Sequence, residues 1–241
     1  MKKLPKISLI LPCRNESAHI EHVVKDIPKS ITEIVIVDNL SRDDTAKVVK
    51  KIAKGDTRVR YIAEPRQKNG IGYGFAIMCG LQSARGEWCV VADGDGTYPF
   101  SDIKPMLEFA CANKLDFVSG ARYPVSSGGG SLPIPLKLRM GVGALNLWVR
   151  ILYGHKFADI LSGMMMIRRA DLSRLSLDAG DWNMSPQLKL EARKNLQAGE
   201  FHISQQDRLG KTKQNYMRTG LSHMWWIFKN RWRKERDSNP R

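Results

Sequence analysis

The chain has 241 residues, 42% of them hydrophobic, which is the size and composition of one globular α/β domain with a real core. Its formal charge of +15 implies an anionic partner: nucleic acid, an anionic membrane face or phosphorylated substrates. The four cysteines show no Cys-x-x-Cys spacing, which argues against a zinc site or disulfide framework and fits a reducing, cytoplasmic setting. Met1-Lys2-Lys3 leads into a short apolar run that ends at Pro12, a first strand rather than a signal peptide, and no run is long enough to span a bilayer.

Ile7 to Leu11 reads as a strand, with residues 12–17 leaving it. Ile20, Val23, Val24 and Ile27 follow at helical spacing, with Asn15 or Ser17 as the expected cap. Ile34 to Val37 is a second strand, and Asp43-Asp44-Thr45 opens a second helix. Alternating strands and helices predict parallel strands joined by right-handed crossovers. Val59 to Ala63 is a third strand, followed by a glycine-bearing loop over 66–74 and a helix to Ala84. That loop is neither a P-loop nor a dinucleotide fingerprint. Trp88 to Ala92 is a buried strand, and Ser101 is the expected cap of the helix carrying Ile103, Met106, Leu107 and Ala110. Strands at Phe117 to Gly120 and Phe201 to Ser204, and helices at Lys137 to Tyr153 and Met184 to Leu196, complete the core set. Ser126 to Ser131 suits a lid or a plain surface loop, and the methionines of 164–166 suit the core.

The strand at Trp88 runs straight into Asp93-Gly94-Asp95. In an open α/β sheet ligands bind beyond the carboxyl ends of the strands. Two carboxylates placed there are hard oxygen ligands for Mg²⁺ or Mn²⁺, metals that also take substrate phosphate oxygens. A solvated Asp-Gly turn is the plainer alternative.

Six pieces in order carry a resemblance: Leu11 to Glu16, Val37 to Thr45, Asp93 to Pro99, Gly120-Ala121-Arg122-Tyr123, Asp159 with Ser162-Gly163, and Arg208 to Lys213. The chain resembles the family-2 inverting glycosyltransferases of the GT-A fold, within them the dolichyl-phosphate mannose synthases and related polyprenyl-phosphate sugar transferases. The resemblance implies a mixed, mainly parallel sheet with helices on both faces. The expected organisation is a catalytic domain over 1–217 and, from the residue pattern, a basic amphipathic helix and tail over 218–241, with disorder expected from Glu235. It implies that Pro12, Arg14, Glu16, Ile36, Asp38 and Gly94 bind the nucleotide of a GDP-mannose or UDP-glucose type donor. Asp93 and Asp95 would hold the metal on its diphosphate, where charge builds as the glycosidic bond breaks. Arg122, Arg139, Arg208 and Lys213 would contact substrate phosphates, and Asp93, Asp95, Arg122, Asp159 and Arg208 form the implied catalytic set. Arg14 stands where the family usually has an aromatic residue, and Asn39-Leu40 where it has Asp-Gly.

The acceptor turns on a proton. A sugar hydroxyl needs a base, for which Asp159, Asp181 and Glu191 are candidates. A lipid phosphate, whose second pKa is about 6, needs cations instead. For Asp159 the reading put ahead of a base is structural, a residue that orients the acceptor side or caps a strand end. Near the C-terminus Leu221, Met224, Trp225, Phe228 and Trp232 share one helix face, with Lys229, Arg231, Arg233, Lys234 and Arg236 around it. That pattern fits a helix lying on an anionic membrane, or one packed on the domain's own core. The favoured reading is transfer of a hexose to a polyprenyl phosphate by an enzyme peripheral to the cytoplasmic membrane face, with a membrane-protein partner or homo-oligomer as further partners. The alternatives are a saccharide hydroxyl acceptor and, in another class, a basic nucleic-acid-binding protein, for which no motif is present.

Overall fold

The computed structural model describes residues 5–122, 136–204, 209 and 216–238. Seven strands form one sheet: β1 (Ile7–Cys13), β2 (Glu33–Asp38), β3 (Val59–Ala63), β4 (Trp88–Val91), β5 (Phe117–Ala121), β6 (Met165–Arg168) and β7 (Ala198–His202). Their order is β3-β2-β1-β4-β6-β5-β7. All neighbours pair parallel except β6, which runs antiparallel to both β4 and β5. This is the mixed, mainly parallel sheet expected of the sequence.

Helices α1 (Ile20–Lys25), α2 (Thr45–Gly55) and α4 (Ile103–Ala112) cover one face, and α3 (Tyr73–Ser83) and α6 (Met184–Asn195) the other. The central strands have no polar side because both faces are covered. Alternation along β1 shows the division: Leu9 and Leu11 enter the first core, and Ile10 enters the second. Met164 and Met166 belong to one core and Met165 to the other, as the apolar run predicted. A third cluster joins α5 (Leu136–Tyr153) to α7 (Tyr216–Ser238) through Leu145, Val149 and Ile227.

Several local expectations are corrected. Asn15 and Ser17 do not cap α1; His19 holds the N-cap position without a side-chain bond. Both side chains instead tie to the β2 exit loop, where Asn15 Oδ1 accepts from Arg42 N at 2.7 Å and Ser17 Oγ donates to Asp43 at 2.7 Å. Ser101 lies inside a 3₁₀ turn over Phe100–Asp102 that precedes α4, and caps nothing. The last strand starts at Ala198, because residues 198–202 pair with 117–121. The helix expected to end by Glu235 continues to Ser238.

Candidate active site

The parallel strands β1, β2 and β4 all end on one edge of the sheet, delivering Arg14, Asn39 and Asp93 to it. The first two exit loops are stitched together. Asn15 N donates to Ser41 Oγ at 2.8 Å, and Glu16 N donates to Thr45 Oγ1 at 2.8 Å. The loop over 64–71 is then drawn in. Arg14 Nη1 donates to Gly70 O at 2.6 Å, and Asn39 Nδ2 donates to Glu64 O at 2.7 Å and Arg66 O at 2.9 Å.

Asp38 is buried at the end of β2. Its Oδ1 accepts from Ser41 N at 3.1 Å and its Oδ2 from Tyr61 O–H at 3.2 Å. Ile36 is a correction: it is 0% exposed and its side chain packs into the core under α1 and α2, so it presents nothing to a ligand. Pro12 is half-buried beside Gly94, where an added Cβ would meet Cys13 Sγ at 2.6 Å and Pro12 O at 3.3 Å. Only glycine allows β1 and the turn after β4 to lie this close.

Asp93 and Asp95 stand two residues apart just past β4, both half-buried. Each is oriented by a hydroxyl: Tyr73 O–H donates to Asp93 Oδ1 at 3.0 Å, and Thr97 Oγ1 donates to Asp95 Oδ1. Burial, then the Asp93 charge, raises the Tyr73 phenol well above its ordinary pKa, so it stays a donor. Above Asp93 lies Gly163. A Cβ there would sit 3.0 Å from the Tyr73 hydroxyl and 3.1 and 3.2 Å from the two Asp93 oxygens. Gly163 N donates to Tyr98 Oη at 2.7 Å, and burial pushes the Tyr98 phenol up to about 12. Leu209 N donates to Asp95 O at 2.9 Å, which places Leu209 against the acidic turn.

These residues fit a hard divalent cation. The donors are carboxylate oxygens, and the missing Cβ at 163 keeps the space over Asp93 open. Among the described residues no three His, Cys, Asp or Glu side chains group as a complete ligand set, so a cation held here would draw further ligands from elsewhere, as diphosphate oxygens can supply.

Arg122 leaves β5 and meets Asp159. Nε donates to Oδ2 at 2.6 Å, Nη2 to Oδ1 at 3.1 Å, and the Arg122 backbone N–H to Oδ2 at 3.2 Å. Leu161 N and Ser162 N add bonds to Oδ1 at 3.2 and 3.1 Å. Burial alone would raise the Asp159 pKa, but Arg122 outweighs it and holds the carboxyl below its ordinary value. A carboxylate that accepts from five N–H groups is a poor proton acceptor, which corrects the base reading of Asp159: it positions Arg122 and the 159–163 turn. Beneath it Lys189 is fully buried and donates to Asp159 O at 2.7 Å. Burial lowers its ammonium to about 8, against the pull of Asp159 and Glu200.

The strip 178–183 closes the other side. Gly74 N donates to Gly180 O at 3.1 Å at the start of α3. Trp182 packs on Tyr73 with ring centroids 4.7 Å apart. Asp181 Oδ2 is 3.7 Å from Lys68 Nζ, and Asn183 Oδ1 bonds His223 Nδ1 on α7 at 2.8 Å. Tyr73, Tyr98, Trp182 and His223 carry no assigned role in the sequence; the signals were the glycine spacing around Tyr73 and the place of Tyr98 within the piece Asp93 to Pro99. Glu191 is engaged elsewhere, accepting from Ser176 N at 3.2 Å and Asn195 Nδ2 at 3.3 Å near the C-terminal end of α6. Arg139 is exposed on α5. Arg208, Lys213, Tyr123 and Ser126 to Ser131 lie outside the described residues.

A mixed sheet with acids and cations gathered at the strand ends is the architecture of a GT-A glycosyltransferase. The sequence pattern of glycosyl transferase family 2 matches residues 8–175, and the chain belongs to that family. It is 23% identical over 232 residues to the low-salt glycan biosynthesis hexosyltransferase Agl6 of Haloferax volcanii, covering 94% of this chain and 54% of that protein. It is 24% identical over 177 residues to the dolichyl-phosphate beta-glucosyltransferase ALG5C of Trichomonas vaginalis, covering 67% and 51%. The chain thus spans about half the length of these relatives. Among solved structures, glucosyl-3-phosphoglycerate synthase from Mycobacterium tuberculosis, in complex with Mn²⁺, UDP and glucosyl-3-phosphoglycerate, shares the fold with a TM-score of 0.66. That match is 20% identical and covers 94% of this chain and 80% of that one.

Proposed function

We propose that the protein is an inverting hexosyltransferase that moves a hexose from a nucleotide-diphosphate sugar, of the GDP-mannose or UDP-glucose type, to a polyprenyl or dolichyl phosphate. The observation that carries the choice of acceptor is the commitment of Asp159 to Arg122, which leaves that position without a base. Glu191 is likewise engaged at Ser176 and Asn195. A phosphate acceptor needs neither, since it is already ionised near neutral pH. The similarity to ALG5C supports the same reading.

Pro12, Arg14, Glu16 and Asp38 would bind base and ribose, whose hydroxyl and N–H donors suit carboxylates. Asp93 and Asp95 would hold Mg²⁺ or Mn²⁺, a Lewis acid for the leaving diphosphate. An acceptor phosphate oxygen attacks the anomeric carbon as the bond to the diphosphate breaks, and the electron pair leaves with the nucleoside diphosphate. Arg122, Arg208 and Lys213 would bind substrate phosphates. The enzyme would work at the cytoplasmic membrane face as a peripheral protein; no helix among the described residues is long and apolar enough to cross a membrane.

A second reading is transfer to a hydroxyl. Asp181 favours it, since it sits half-buried on the strip beside Tyr73, and the fold shared with glucosyl-3-phosphoglycerate synthase is consistent with it. The test is turnover with saturating donor and either acceptor class, with Mg²⁺ or Mn²⁺. In protein shown to be folded, Arg122→Ala and Arg208→Ala should each lose about tenfold to a hundredfold. Asp181→Asn and Glu191→Gln should stay near wild type. Loss of all transfer in a folded Asp181→Asn protein would establish the hydroxyl acceptor instead.

A further inference from the structure

The sequence face of Leu221, Met224, Trp225, Phe228 and Trp232 points away from the domain. The opposite side of α7 is the packed one: His223, Ile227 and Asn230 are buried, Tyr153 O–H donates to Ile227 O at 2.9 Å, and Arg231 Nε donates to Leu152 O at 2.9 Å. Trp225 is 65% and Trp232 50% exposed. The neighbouring helix does the same, with Leu136, Met140, Leu147 and Ile151 exposed along one row of α5. Trp148 and Phe228 join the two rows, their centroids 6.5 Å apart, and Trp225 and Trp232 flank Phe228 at 6.0 and 6.1 Å. Trp148 Nε1 is anchored on Met224 O at 3.3 Å. The result is an apolar face shared by two packed helices, of the kind that marks an interaction site.

Charge identifies the occupant. Residues 136–153 and 216–233 contain seven Lys and Arg and no Asp or Glu. Arg231 turns inward to Leu152 O and Arg233 pairs with Asp178 at 2.9 Å, while Arg139, Arg150, Arg218 and Lys229 are exposed. A second copy seated on this face would bring the same cations against themselves. An anionic bilayer meets both demands: apolar depth for the aliphatic rows, an interface for tryptophan rings, and negative headgroups for the cations. We infer that the α5–α7 face is the docking surface for a bilayer bearing anionic lipids. This deepens the lipid-acceptor reading and rests on it for its purpose, but binding is measurable without turnover.

The experiment is co-sedimentation of the full chain with phosphatidylcholine vesicles, with and without phosphatidylglycerol, together with tryptophan emission and the oligomeric state. The chain should bind the anionic vesicles, with a blue shift from Trp225 and Trp232, and bind pure phosphatidylcholine weakly. Trp225→Ser with Trp232→Ser, and separately Leu147→Ser with Ile151→Ser, should each weaken binding at least tenfold. Lys229→Glu should weaken it about fivefold or more and in a salt-dependent way. These variants should keep wild-type turnover on a water-soluble short-chain acceptor. Absence of vesicle binding at any composition overturns the inference. So does a dimer that these same substitutions dissociate while vesicle binding is lacking. Vesicle binding with transfer only to hydroxyl acceptors would remove the lipid-acceptor reading and leave the docking surface standing. Transfer to polyprenyl phosphate without vesicle binding would do the reverse.

Discussion

Arg122 and Asp159 meet as a two-pronged pair, with the carboxylate 0% exposed and the guanidinium side chain 12% exposed. They meet at one end of an antiparallel strand pair: Arg122 leaves β5, and Asp159 starts the turn that enters β6. Removing one partner leaves the other charge buried without its counterion, which typically costs about 3–5 kcal/mol. Arg122→Ala and Asp159→Asn should each lower stability by that order in denaturant unfolding. The double variant should cost clearly less than the two single losses combined. Additive losses would mean that the pair is not coupled.

Tyr73 fixes the Asp93 carboxylate from the first turn of α3. If Asp93 holds the cation, losing this hydroxyl should loosen the ligand without unfolding the chain. Groups that orient metal ligands are typically worth about tenfold or more in affinity. Tyr73→Phe should therefore weaken Mn²⁺ binding in the presence of UDP or GDP by about tenfold, read by titration calorimetry or the Mn²⁺ resonance signal. An unchanged affinity would contradict the role given to Asp93.

His223 is buried between α7 and Asn183, and burial lowers its pKa to about 4 from an ordinary 6.5. Between those values the unfolded chain binds a proton that the folded chain refuses. Stability should therefore fall as pH drops from 6.5 toward 4, by on the order of 3 kcal/mol. Since Asn183 offers its carbonyl oxygen, Nδ1 carries the hydrogen, and His223→Gln keeps a donor without a titrating ring. That variant should melt with a visibly flatter pH dependence between 7 and 5. An equally steep profile would place the acid sensitivity elsewhere.

Gly74 packs so tightly on the backbone of Ala179 and Gly180 that a Cβ there overlaps the Ala179 carbonyl. Backbone cannot swing aside as a side-chain end can. Gly74→Ala should cost about 1–3 kcal/mol and shift the tryptophan emission, because the strip carrying Trp182 must move off Tyr73. Unchanged emission and melting temperature would mean that the strip adapts freely.

The strands and helices were legible because burial on both faces of a sheet leaves near-continuous apolar runs, as at Ile34 to Val37. The pairing of the strands was not. Nothing in Met164 to Ile167 tells that this run is reversed, because a strand buried on both faces has the same composition in either direction. The acids of the turn at Asp93 were visible as residues, but their supports were not. Tyr73 and Gly163 reach Asp93 from 20 and 70 positions away, and a lone tyrosine or glycine has no local pattern that marks it. Asp159 was visible too, while the five N–H groups that occupy it come from loop backbone and from Arg122. For α7 the periodicity marked the aromatic face, and only its packing against α5 told which side is outward.

The reversed strand also sets an order of assembly. Because β6 runs against β4, its first residues, not its last, lie beside Asp93, and Gly163 reaches the acidic turn only when that strand has threaded between β4 and β5. On a ribosome, β1 to β4 can pair as soon as residue 91 is free, leaving the sheet with an open edge and the carboxylates without their ceiling. Closing that edge requires β6, which begins 74 positions after Val91, a long-range pairing of the kind that slows folding. The acidic turn should therefore be completed only after β6 has docked, and a nascent chain stalled before β6 would carry both carboxylates without Gly163 beside them.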